Sequence, residues 1–118
     1  MPGISLHVVD VARGVVAEGL SVKVERIDGA GRVLLCRGRI GANGSLGALD
    51  TLAAACLPGV YEITLGAGAW YYGHGMADAE LPFLGDVTYR FGLADAAQHY
   101  HLPVKMTPWG LSCFRGGA

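Results

Sequence analysis

The sequence predicts an all-β fold, a two-sheet antiparallel sandwich with one short helix. Three observations carry the prediction. Short β-branched and aromatic runs alternate apolar and polar residues with period 2. Nineteen glycines punctuate those runs at spacings that suit an antiparallel sandwich better than a helical bundle. The resulting count, about seven or eight strands, is typical of a sandwich of this length.

The first strand runs from Ile4 to Val9, with Ile4, Leu6 and Val8 on one face and Ser5, His7 and Val9 on the other. Leu20 to Ile27 repeats the pattern, Leu20, Val22 and Val24 inward, before Asp28-Gly29-Ala30-Gly31 makes a turn. A third strand covers Val33 to Ile40, and the Asn-Gly pair in Ala42-Asn43-Gly44-Ser45 marks the next turn. Leu49 to Cys56 has high helix propensity but is too short to stand alone, so it reads as a short strand and loop. Val60 to Leu65 follows Pro58-Gly59 as a strand, and Ala69 to Met76 is the one predicted helix, kept short by Gly73 and Gly75. Asp86 to Leu93, His99 to Met106 and Leu111 to Phe114 complete the strands.

With 118 residues, no internal repeat and no linker, the chain reads as one domain over 1–118. A hydrophobic fraction of 52% excludes a disordered chain, and a net charge of -1 offers no basic field for nucleic acid or anionic membrane. A small, neutral partner fits better. With only 16% charged residues there is little polar material to cover a small monomer, so apolar surface is expected to meet other subunits. The start of the chain lacks a signal-peptide pattern and no run is long enough to span a bilayer, which reads as cytoplasmic. Cys36, Cys56 and Cys113 are odd in number and widely spaced, a pattern of free, mostly buried thiols and not of a disulfide framework or structural zinc.

His99-Tyr100-His101 puts two imidazoles on one strand face, with Tyr100 and Leu102 on the other. Three readings of this spacing stand open: a metal site, acid/base chemistry, or a solvated polar face. His7 adds a third imidazole on the polar face of the first strand, and Asp10 is a candidate to orient it. There is no Gly-x-Ser-x-Gly elbow, no P-loop and no dinucleotide fingerprint, which disfavours serine-nucleophile and nucleotide chemistry.

Taken together, His7-Val8-Val9-Asp10 with Ala12-Arg13-Gly14, the stretch Pro82-Phe83-Leu84-Gly85-Asp86-Val87-Thr88, the segment His99-Tyr100-His101-Leu102-Pro103 and the ending Thr107 to Gly116 resemble 5-hydroxyisourate hydrolases of the transthyretin-like family. The resemblance implies a transthyretin (prealbumin-like) sandwich assembled as a homotetramer, a dimer of dimers with its sites in the channel between dimers. It also implies ring opening of 5-hydroxyisourate, a product of urate oxidation, by water attack with no metal or organic cofactor. His7 and His101 match the two family histidines, and Arg115 with Gly116 matches the centre of the terminal Tyr-Arg-Gly-Ser.

Three positions depart from the family pattern. Ser45 stands where the family has the arginine of Asp-Gly-Arg, Phe114 where it has the terminal tyrosine, and Gly117 where it has the serine. Losing one donor aimed at a developing oxyanion costs on the order of 3 kcal/mol. Arg37 and Arg39, on the preceding strand, are candidates to supply a replacement guanidinium.

The leading expectation is therefore a hydrolase of 5-hydroxyisourate or a related cyclic ureide. One of His7 and His101 takes a proton from water and the other, protonated, gives one to the departing ring nitrogen, while Arg115 holds substrate charge among Ser45, Phe114 and Gly117. The alternatives are a non-catalytic binder of small ligands in the same channel, a divergent enzyme acting on an unrelated heterocycle, and a metal-dependent hydrolase using His7, His99 and His101.

Overall fold

In the computed structural model, which describes residues 3–52 and 56–117, eight strands form two four-stranded sheets. Strand β1 (Gly3–Asp10), β2 (Val15–Val16), β7 (His99–Thr107) and β8 (Gly110–Cys113) make sheet A in the order β2-β1-β7-β8. Sheet B runs β4-β3-β5-β6, from β3 (Ser21–Asp28), β4 (Gly31–Arg39), β5 (Gly59–Leu65) and β6 (Val87–Leu93). Seven of the predicted strands are present within one or two residues, the short strand read at Leu49 to Cys56 is not, and β2 is the addition. Two residues are too few to show a period.

The core lies between the sheets. Ile4, Leu6 and Val8 of β1 meet Leu102, Val104 and Met106 of β7 on one side, and Val22, Val24, Ile63 and Leu65 of sheet B on the other, all buried. This is the alternation predicted from sequence, and it fixes the opposite, outer face of sheet A as the place where Ser5, His7, His99 and His101 emerge.

One pairing departs from the antiparallel expectation: β1 and β7 run parallel, with Ser5 opposite His101 and His7 opposite Pro103. Parallel neighbours need a long crossover, and nearly the whole chain, all of sheet B included, lies between these two strands.

The stretch Leu49 to Cys56, read as a short strand and loop, instead opens with a 3₁₀ helix over Gly47–Thr51. Residues 53–55 lie outside the described part. Leu46 and Leu49 are both buried, and seating two leucines three apart on one side requires a turn of helix, where a strand would separate them.

Helix α1 spans Ala67–Gly73, starting two residues and ending three residues earlier than predicted. It stops where it does because Gly75 takes a left-handed φ of 71°, and the amides of Gly75 and Met76 close back on the carbonyls of Tyr72 and Tyr71. Its early start depends on Gly68, where a Cβ would lie 2.7 Å from the Leu84 carbonyl oxygen. Trp70 and Tyr71 are the residues it buries.

Candidate active site

The outer face of sheet A brings together residues that are far apart in sequence. From the register, His7 in β1 and His101 in β7 sit on adjacent strands two residues out of step. Strand spacing and rise then place their Cα atoms about 8 Å apart, close enough for both imidazoles to reach one small ring. Both side chains are half-buried.

On the other flank of β1, the turn that follows β4 returns to sheet A. Val8 donates its amide to the Gly44 carbonyl (2.9 Å), and Ser45 forms an antiparallel bridge with His7. Ser45 thus stands directly beside His7 on the same face. The turn itself is held by the Ser45 amide donating to Asn43 Oδ1 (3.0 Å) and by Gly44 at φ 84°.

The His7 ring is fixed by this turn. Its Nε2 lies 3.1 Å from the Asn43 carbonyl oxygen, which can only accept, so in the neutral ring Nε2 carries the proton and Nδ1 the lone pair.

His99 and His101 are joined through a residue that sequence reasoning passed over. Ser5 Oγ lies 2.7 Å from His99 Nε2 and 2.7 Å from His101 Nδ1. Ser5 appears in the sequence only as one more polar residue of an alternating strand. Its role comes from the parallel pairing of β1 with β7, for which the sequence carries no local signal. Among the described residues no three His, Cys, Asp or Glu side chains converge on a point that would hold a metal ion.

The C-terminal segment closes the far side of the site. The Gly116 amide donates to the His101 carbonyl (2.7 Å), and a Cβ on Gly116 would lie 3.0 Å from His101 Cδ2, so the chain packs against the ring itself. Phe114 is 45% exposed, and Gly117 has open space around its Cα. Arg115 is turned away: its guanidinium lies 4.0 Å from the centre of the Tyr100 ring and donates to Gln98 Oε1 (2.9 Å) and the His99 carbonyl (3.3 Å). No hydrogen bond joins it to His7 or His101 among the described residues.

Two sequence-based assignments are corrected. Asp10 does not orient His7. Three residues along a strand is an odd step, so its carboxylate points into the core, accepting from Arg13 Nε (2.8 Å), the Tyr71 hydroxyl (2.8 Å) and the Ala12 amide (3.1 Å). Burial alone would raise the Asp10 carboxyl, and these three bonds outweigh it, holding the group below the usual carboxylate range. Arg37 and Arg39 do not reach the histidine face. They pair with Lys23 and Ser21 in sheet B, and Arg39 donates to the Gly19 carbonyl (3.1 Å) in a cleft shared with Trp70 and His74.

The three cysteines are free, Cys56 buried and the others half-buried. Burial pushes the Cys113 thiol up to about 11, which makes it a poor nucleophile near neutral pH.

A transthyretin-type sandwich with a histidine-bearing outer face is the class of protein that the fold and site define. The chain belongs to the HIUase/Transthyretin family, whose model matches residues 4–116. It is 36% identical to the 5-hydroxyisourate hydrolase of Deinococcus radiodurans over 98% of this chain and 96% of that protein. Among solved structures it superposes on Klebsiella pneumoniae 5-hydroxyisourate hydrolase with a TM-score of 0.78 at 28% identity, covering 98% of this chain and 99% of that one. Sea bream transthyretin, solved with thyroxine, matches with a TM-score of 0.86 at 20% identity, covering 98% and 95% of the two chains, a likeness of fold.

Proposed function

We propose that this chain is a hydrolase that opens the ring of 5-hydroxyisourate, or of a closely related cyclic ureide, in the breakdown of urate. The observation that carries the reading is the placement of His7 and His101 on adjacent strands of one half-buried face, in a chain similar over nearly its whole length to named 5-hydroxyisourate hydrolases.

The two histidines take different parts. His7 is the base: with Nε2 committed to Asn43, its Nδ1 draws a proton from water as the water oxygen bonds to a ring carbonyl carbon. As the ring C–N bond breaks, that proton passes from His7 to the nitrogen, a step that the sequence alone assigns to a second, protonated imidazole. His101 is the donor, holding an N–H against the charge that develops on the ring. No cofactor enters the scheme. Ser45, Phe114 and Gly117 line the rest of the cleft, and Arg115 binds substrate oxygens after leaving Gln98 and Tyr100. An exposed contact of that kind is worth on the order of 1 kcal/mol, so the exchange is inexpensive.

We infer a homotetramer in which this one domain meets its copies across the outer faces of sheet A. Val11, Val15, Trp109 and Phe114, all on or next to sheet A strands, are 50, 46, 68 and 45% exposed, an apolar set that a second copy would cover. Light scattering is expected to give about four times the 12.3 kDa of one chain, and a concentration-independent monomer would remove the shared cleft. Free thiols fit a reducing compartment, and we place the reaction in the cytoplasm.

The test is direct. Urate oxidase generates 5-hydroxyisourate in place, and its optical decay is followed with and without this protein. Acceleration over spontaneous hydrolysis is expected; equal rates would favour the second reading, a binder of small ligands, to which Ser45, Phe114 and Gly117 point because each lacks a polar group that the family pattern places there.

A further inference from the structure

The Ser5–His99–His101 cluster has more order in it than acid/base chemistry at a single imidazole requires. We infer that Ser5 and His99 are positioning residues that hold His101 in one neutral tautomer, its proton on Nε2 and facing the cleft. The inference rests on the proposed role of His101 as donor and goes beyond it by naming what makes it one.

A serine hydroxyl has one hydrogen to give and two lone pairs to receive. Ser5 Oγ stands 2.7 Å from one nitrogen of each ring, His99 Nε2 and His101 Nδ1. When both rings are neutral, each carries a single N–H. The other nitrogen of His99, Nδ1, is buried and has no hydrogen-bond partner among the described residues. A proton there would be a buried donor with no acceptor, costing about 1–3 kcal/mol, and buried orphan donors are rarer than under-satisfied acceptors. The His99 proton therefore sits on Nε2 and is donated to Ser5.

With Ser5 Oγ receiving from His99, its own hydrogen turns to the remaining neighbour, His101 Nδ1. That nitrogen must then be bare, and the His101 proton has only Nε2 left. A buried dead end at His99 Nδ1 is thus read out two hydrogen bonds away as a donor on His101.

The fold holds each member of the chain. The parallel register sets Ser5 opposite His101 and Gly3 opposite His99, so no side chain on β1 blocks the His99 ring from reaching Ser5. On the far side Gly116 packs against His101 Cδ2, the ring carbon next to Nε2, which puts the Nε2 edge beside the C-terminal segment. A fixed N–H there meets the need left by Ser45, which has no guanidinium to offer developing charge.

The experiment is long-range proton–nitrogen correlation NMR on the full chain with labelled imidazoles, at about pH 8.5, above the ordinary imidazole range. His99 and His101 are both expected as Nε2–H tautomers, with His101 Nδ1 accepting a hydrogen bond. Ser5→Ala is expected to turn His101 into a mixture of tautomers, and Ser5→Thr, which keeps the hydroxyl, to restore the single one. In turnover of 5-hydroxyisourate, Ser5→Ala is expected to lower kcat on the order of tenfold to a hundredfold with KM within about twofold, and Ser5→Thr to recover most of it. His101 carrying its proton on Nδ1 in the unmodified protein would overturn the inference without any variant having to fold. So would a Ser5→Ala protein with an unchanged His101 tautomer or full kcat. An unmodified protein that shows the tautomers expected yet does not accelerate hydrolysis would overturn the proposed function and leave the hydrogen-bond chain standing.

Discussion

A Cβ atom on Gly44 would stand 2.5 Å from Nε2 of His7, closer than two such atoms can approach. The glycine therefore shapes the seat of His7: its missing side chain is the space that the imidazole occupies, and its φ of 84° is what lets the turn present the Asn43 carbonyl to the ring.

Gly44→Ala is expected to push the His7 ring out of place and to strain the turn as well. Turnover should fall at least about tenfold and stability by about 1–3 kcal/mol. Steady-state kinetics and denaturant unfolding, measured on the same preparation, separate the two effects. A fully active Gly44→Ala protein would show that His7 need not contact the turn.

His7→Ala and His101→Ala are each expected to lower kcat by about two to four orders of magnitude, with circular dichroism and melting temperature close to the parent because both residues lie on a half-buried outer face. His99→Ala should be milder, since that ring touches the chemistry only through Ser5. Full activity in all three variants, with melting points unchanged, would end the assignment of His7 and His101.

The combination Ser45→Arg, Phe114→Tyr and Gly117→Ser is expected to raise activity on 5-hydroxyisourate by roughly tenfold or more, because Ser45 adjoins His7 across the bridge and Phe114 and Gly117 flank the segment against His101. Arg39→Ala should leave kinetics unchanged, since its guanidinium is held on sheet B at the Gly19 carbonyl. A large loss of activity on Arg39→Ala would place an arginine from that sheet, or from a second copy, in the cleft.

Asp10 should give the fold an acid-sensitive component. Its carboxyl is held below the unfolded value of about 3.9, so its contribution is fully present above that pH and is lost as pH falls through the lower, folded value. Asp10→Asn leaves Arg13 and Tyr71 with weaker partners and is expected to cost roughly 2–3 kcal/mol near neutral pH. Melting temperatures between about pH 3 and 7 should show the gap between parent and variant closing at the acid end. A constant gap would mean that the charge on Asp10 does not matter.

The sequence by itself determined seven of the eight strands, their inward faces and the face on which the histidines emerge. Alternation is a local property, and Leu6 beside His7 or Leu102 beside His101 already says which way each side chain points. Local pattern failed where burial overrode it, as at Leu46 and Leu49, whereas at Asp10 the alternation itself points inward and closeness in sequence to His7 suggested a contact that the alternation rules out.

Tertiary structure alone decided which strand lies beside which. Ser5 meets His101 only because β1 and β7 pair in parallel across most of the chain, and Ser45 meets His7 only because the turn after β4 crosses back to sheet A. A residue's face is set by its neighbours two positions away, whereas its partners across a sheet are set by the closing of a long loop, which leaves no mark in any short window of sequence.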